Sequence, residues 1–273
     1  MMLLEALQQP FMIRALVVGI LIAASSAFLG SFLVLKRYSM IGHGLSHVAF
    51  AAVAISLVLG TSPLILTLSI VILSSVLILR VNQKSSVFGE ASIGLAATFA
   101  MALGTVLASI RGGFKVELYS YLFGSILTIQ RVDMILSIVA SFLIFGYLLF
   151  HYRDLLSLTF DEEFAHVQGI KTQRLNIMLA IFSGLIISLG IRAIGSILIS
   201  SFILFPTMIA IQFQMTFRKT ILWSIIIAIL LVWLGLLGSY VLDWPSGSTI
   251  VLLSGLIYSI VLMTQRMRKG RES

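Results

Sequence analysis

Cysteine is missing from all 273 residues, which removes disulfides and thiolate metal ligands and leaves the compartment open. Charge is nearly as scarce: Asp, Glu, Lys and Arg together make up 10% of the chain, against about a quarter in soluble domains. With 59% hydrophobic residues, the chain has too little polar surface to cover itself in water, so lipid is its solvent. It carries no Gly-rich phosphate-binding loop and no separable soluble domain, so its energy must come from an ion gradient or a partner. No nucleophile–base pair and no paired carboxylates stand inside the apolar runs, which argues against an intramembrane enzyme. The net charge of +8 sits mostly between those runs, where it sets topology and meets anionic lipid. That placement excludes a nucleic-acid partner.

What is present is a series of apolar runs at about 11–35, 41–59, 63–79, 91–110, 134–150, 175–191, 194–211, 221–241 and 249–263. A span needs about 20 apolar residues. The expectation is one transmembrane domain over 1–273, an all-α polytopic bundle of eight to nine helices. The N-terminus lacks a basic leader and a small-residue cleavage site, so the first run reads as a retained span. The basic stretches Lys36-Arg37, 80–84, 153–174, Arg218-Lys219 and 266–271 belong inside. This places the C-terminus and the segments 154–176 and 206–219 in the cytoplasm and, with nine crossings, the N-terminus outside. Arg111 and Lys115 then lie outside, against the trend. The stretch 114–128 reads as interfacial. Asp161-Glu162-Glu163 is placed to open a short helix that Gly169 ends. Aromatic residues near span ends fit an interfacial belt, and the scattered Met residues fit packing.

Ionisable groups inside spans are expensive and therefore functional candidates. His43 and His47 stand out: four residues apart, they share one helix face, the spacing with which a helix offers two imidazoles to one metal ion or proton path. Gly42, Gly44 and Ser46 leave room for close neighbours. His151 and His166 sit at a span end and in a loop and read as solvated. Arg192 reads as snorkelling near an outer turn. Glu90 opens a span, where it complements the helix N-terminus or lines an inner gate. Asp243 and Tyr240 read as ordinary outer-surface residues.

Four blocks resemble the permease subunits of the zinc/manganese ABC importer family, the ABC-3 family. They are Leu29–Arg37 with Ser39–His47, Val116-Glu117-Leu118 with 121–124, the loop 156–170, and 194–199 with Pro206. The likeness is strongest to the zinc permeases and runs over nearly the whole chain. It implies an importer in a bacterial cell membrane, built from two copies of this chain, two cytoplasmic ATP-binding subunits and an extracytoplasmic metal-binding protein. ATP hydrolysis then belongs to the partner, and no cofactor is permanently bound. Zinc is the expected cargo and manganese or iron the alternative; a proton-coupled secondary transporter is the rival of another class. In such permeases the first block commonly reads Asp-x-x-x-His. His47 matches the His, but His43 stands at the Asp. Imidazole in place of carboxylate suits zinc, whereas manganese prefers oxygen ligands. Ser125 also stands where relatives often carry Asp, and Glu90 falls near an acidic position. For ATPase coupling, the resemblance points first to the stretch after Pro206, through Gln212 and Phe213 to Arg218, expected to form a short docking helix. The loop Asp161, Glu162 to Gly169 comes second. The 243–246 loop and the 114–128 segment are the expected landing area of the binding protein.

Overall fold

The computed structural model describes residues 10–84, 89–110 and 129–272; every regular element among these residues is a helix. In hydrocarbon each backbone N–H and C=O must be satisfied within its own segment, and a helix does this. The elements are α1 (Pro10–Leu35), α2 (Ile41–Leu59), α3 (Pro63–Lys84), α4 (Gly89–Ile110), α5 (Arg131–Phe150), α6 (Tyr152–Phe160), α7 (Glu162–Val167), α8 (Thr172–Ile194), α9 (Ser196–Ile211), α10 (Phe217–Leu242) and α11 (Ser246–Glu272). Ser125 and the segment 114–128 lie outside the described residues.

Eight of these helices are long and apolar enough to cross a bilayer; α6 and α7 are short connecting helices, and α9 is apolar but shorter than a span. Its 16 residues rise about 24 Å, short of the roughly 30 Å hydrocarbon core. The chain passes from α8 into α9 at a single residue, Gly195, with φ 92° and ψ 157°, a region that only glycine enters readily.

Helix α1 is apolar all round and buried, as a central helix must be; α5, α8, α9 and α10 pack around it. Helices α2, α3 and α4 form one flank, and α10 and α11 the other. Helices α1 and α9 cross with their backbones in contact: a Cβ built on Gly30 would lie 2.2 Å from the Ile203 carbonyl oxygen.

Polar contacts tie the two ends of the bundle. At one end Lys36 Nζ donates to Glu162 Oε2 (3.1 Å) and Asn176 Oδ1 (2.7 Å), and Asn176 Nδ2 donates to Glu162 Oε1 (2.6 Å). The Lys36 side chain is 4% exposed. Burial pushes its ammonium below the ordinary value, opposed by the Glu162 charge. The triad fastens α7 to the end of α1 and the start of α8. Removing one partner leaves a buried ammonium short of an acceptor, which costs about 1–3 kcal/mol. Glu162→Ala is therefore expected to lower the thermal midpoint of the purified protein. The double change Lys36→Met, Glu162→Leu should recover most of that loss, because no stranded charge remains.

At the opposite end Arg192 Nε pairs with Asp133 Oδ1 at 3.3 Å, and Arg14 Nη1 donates to the Ile129 carbonyl at 3.5 Å. Arg192 thus does not simply snorkel; it meets a buried carboxylate in the first turn of α5.

The two connections at the Lys36 end, 151–171 and 212–216, differ from each other. Asp161 accepts from the Phe164 amide at 2.9 Å and caps α7, and Gly169 (φ 81°) turns the chain after it, as the acidic triplet implies. After Pro206 no short helix forms. Pro206 is buried inside α9, and residues 212–216 make a tight link that reverses at Gln214, φ 51°. Five residues bent this sharply leave no room for another helix. Gln212 ends α9, Phe213 is exposed, and Arg218 lies over the Tyr152 ring.

Candidate metal site

Successive residues on a helix are turned by about 100°, so the first turns of α2 present three separate faces. Gly42 and Ser46 face α9. A Cβ on Gly42 would lie 3.1 Å from Ile203 Cδ1 and 3.5 Å from Ser200 Cα. Ser46 Oγ donates to the Gly42 carbonyl (2.7 Å) and shares a 2.9 Å hydrogen bond with Ser200 Oγ. Ser196 and Ser200, also four apart, repeat the small-residue spacing on α9, so two small stripes meet and the helices close up. Gly44 faces α4, where a Cβ would meet Ile93 Cγ2.

His43 and His47 take the remaining face. Their Nε2 atoms are 3.2 Å apart, with ring planes at 89°. With metal–nitrogen bonds of about 2.0–2.1 Å, that separation subtends roughly 100° at an ion, close to a tetrahedral angle. The small residues on either side hold α2 between α9 and α4, so the imidazoles are left at an open surface: His43 is exposed and His47 half-buried.

No group of three or more His, Asp or Glu side chains that could hold a metal is found among the described residues. A tetrahedral site needs four donors, and this pair offers two nitrogens. Glu90 lies in the first turn of α4, one turn before the Ile93 that touches Gly44; its side chain lies outside the described residues. The other histidines are elsewhere. His151 stacks on Tyr147 at the cytoplasmic end of α5, and His166 is exposed on α7. Asp243 ends α10 at φ 54° and Tyr240 is exposed. Ser200 and Ser196, which fix the direction of the His pair, were not singled out from sequence, although their four-residue spacing was available there.

Eight helices of membrane-spanning length among the described residues, with two imidazoles side by side on the surface of one of them, define a multi-pass membrane protein. The chain belongs to the ABC 3 transport family, whose profile matches residues 8–265. It is similar to the high-affinity zinc uptake system membrane protein ZnuB of Haemophilus influenzae, 27% identical, covering 91% of this chain and 95% of that protein. It is similar also to the manganese transport system membrane protein MntC of Listeria innocua, 28% identical, covering 96% and 94%. Among solved structures, PsaBC from Streptococcus pneumoniae in complex with Fab superposes with a TM-score of 0.83 at 25% identity, covering 94% of this chain and 93% of that one. The protein is a multi-pass metal permease of the bacterial cell membrane; its relatives include both zinc and manganese permeases.

Proposed function

We propose that this chain is the permease subunit of an ATP-driven importer whose cargo is zinc, working as a dimer by alternating access. The observation that carries the reading is the His43–His47 pair, two nitrogens at 3.2 Å on an open face of a metal permease. Imidazole favours zinc over manganese, which is better served by carboxylate and water. A second copy apposed on this face would supply two further nitrogens and complete a tetrahedral set. A separate ATP-binding subunit hydrolyses ATP, and an extracytoplasmic metal-binding protein delivers the ion; both partners follow from the family. For the ATPase, the α6–α7 excursion is the better docking surface, since Phe164 (54%) and Val167 (84%) stand exposed on a capped helix. Of the 206–219 stretch, Phe213 and Arg218 remain available for contact, whereas Pro206 is buried.

The test is uptake of zinc and of manganese in cells lacking their own importers, expressing this chain with its ATP-binding subunit and binding protein. Zinc uptake should be restored and manganese uptake should not. His43→Asp, which replaces a nitrogen by an oxygen ligand, is expected to raise manganese uptake relative to zinc by roughly 10-fold. Equal transport of both ions by wild type and variant would remove the zinc assignment and leave the family's metal class standing.

A further inference from the structure

His151, one of the two histidines that the metal site does not use, opens onto a cleft of about 830 Å³ at the cytoplasmic end of the bundle. Tyr147, His151 and Asp154 form one wall, and Lys171, Arg174 and Met178 line the other. The cleft straddles the membrane boundary. Tyr147 and Met178 belong to spans, and Lys171 lies in the turn that leads into α8.

Its chemistry is divided along that boundary. At the aqueous end stand two cations, Lys171 and Arg174, both exposed; neither belongs to an ion pair among the described residues. The start of α8 lies between them, with no side chain capping it, so its positive end adds to the field. Tyr147 offers a hydroxyl. The His151 ring is held flat against Tyr147, centroids 4.3 Å apart, and its Nδ1 lies 3.3 Å from the Tyr147 carbonyl oxygen. At the membrane end the wall turns apolar through Leu175 and Met178. Beside it, the Phe150 ring on α5 is 85% exposed and packs edge-on against His151, centroids 5.0 Å apart.

Cations above an apolar slope at the inner interface are the arrangement in which a protein holds a lipid phosphate. A soluble anion has no use for the apolar half. We propose that this cleft binds the headgroup of an anionic phospholipid of the inner leaflet, with its phosphate on Lys171 and Arg174 and its acyl chains along α5 and α8. Asp154, the one carboxylate on the wall, selects among lipids: it accepts from headgroup hydroxyls, as a glycerol headgroup provides. Lys171 and Arg174 against Asp154 leave a net positive charge that matches a single phosphate. The lipid bridges α5 and α8 at the base of the α6–α7 excursion, and so stiffens the segment placed against the ATPase.

The experiment is native mass spectrometry of the full-length chain released from nanodiscs of phosphatidylglycerol and phosphatidylethanolamine in equal amounts. Wild type is expected to retain one phosphatidylglycerol per chain. Lys171→Gln/Arg174→Gln should reduce that retention about 10-fold, and Lys219→Gln, at the same membrane face, should leave it unchanged. A thermal melt of each variant separates lost binding from lost fold, and the Lys171→Arg variant should keep the lipid. Equal retention of the two lipids, retention unaffected by the double change, or complete displacement of the lipid by 10-fold molar excess inorganic phosphate overturns the proposal; the last outcome makes the cleft a free-anion site.

Discussion

Changing His43 and His47 together to alanine is expected to reduce metal uptake to background, at unchanged abundance in the membrane. The side chains lie on the open face of α2, and neither supports the packing of Gly42, Ser46 or Gly44 against their neighbours, so the fold should survive their loss. What disappears is both nitrogens that one copy offers. Loss of an outer-shell partner alone typically costs 10–100-fold in metal affinity or activity, and the loss of both ligands should exceed roughly 100-fold. Single changes should fall between, because one imidazole from each copy still reaches an ion at a shared face. Uptake of labelled zinc, normalised to chain abundance, reads the effect. Normal uptake by the double variant would make the pair a packing feature and remove the proposed path.

Placing valine at Gly30 is expected to leave little folded permease. The first side-chain carbon would lie 2.2 Å from a backbone carbonyl oxygen and 3.1 Å from the Cα of Ile203. No rotamer change relieves this, because the obstacle is the main chain of α9. Normal C–H···O contacts sit near 3.3–3.6 Å, so α1 and α9 must separate by about 1 Å or more. That shift breaks the 3.4 Å contact between Ser31 Oγ and Thr207 Oγ1, and it moves Ile203 off Gly42. Overpacking of a well-formed core costs about 1–3 kcal/mol and sometimes more; here the obstruction is backbone at the centre of the bundle, and the cost should reach the upper end. Gly30→Ala should be milder in yield, and it also displaces Ser200, the neighbour that sets where His43 and His47 point. Size-exclusion profiles of the two variants report the first effect. Zinc uptake per folded Gly30→Ala molecule reports the second. A monodisperse Gly30→Val protein of wild-type stability would show the crossing to be looser than described.

The apolar runs were legible as helices because lipid leaves the backbone no alternative, and the His43–His47 spacing was legible because helical periodicity alone puts both rings on one face. The direction of that face was not, since it follows from what packs on the other two. Gly42 and Ser46 meet α9 through residues 150 or more positions away in sequence, and the matching Ser196–Ser200 stripe lies inside an apolar run with no local mark. The same holds for Lys36 with Glu162 and for Arg192 with Asp133: each charge looked like an ordinary interfacial residue until the fold brought its partner to it. The run 194–211 was counted as a crossing like the others. Gly195 starts the helix immediately below its predecessor, so that it falls short of full thickness. The resemblance implies a short docking helix after Pro206, but the proline's fixed φ is helical, α9 runs on past it, and the chain breaks eight residues later at Gln214.

Helix α8 is fastened at both ends, through Asn176 to Lys36 and Glu162 at its start and through Arg192 to Asp133 at its finish. A rod pinned at two points transmits displacement without bending. The two anchor points lie about 24 Å apart, the rise of sixteen residues, so α7 and the far end of α8 belong to one fastened unit. The compliant joint is Gly195, where rod and short helix meet, and the helix beyond that joint is the one that touches Ser46 beside the imidazoles.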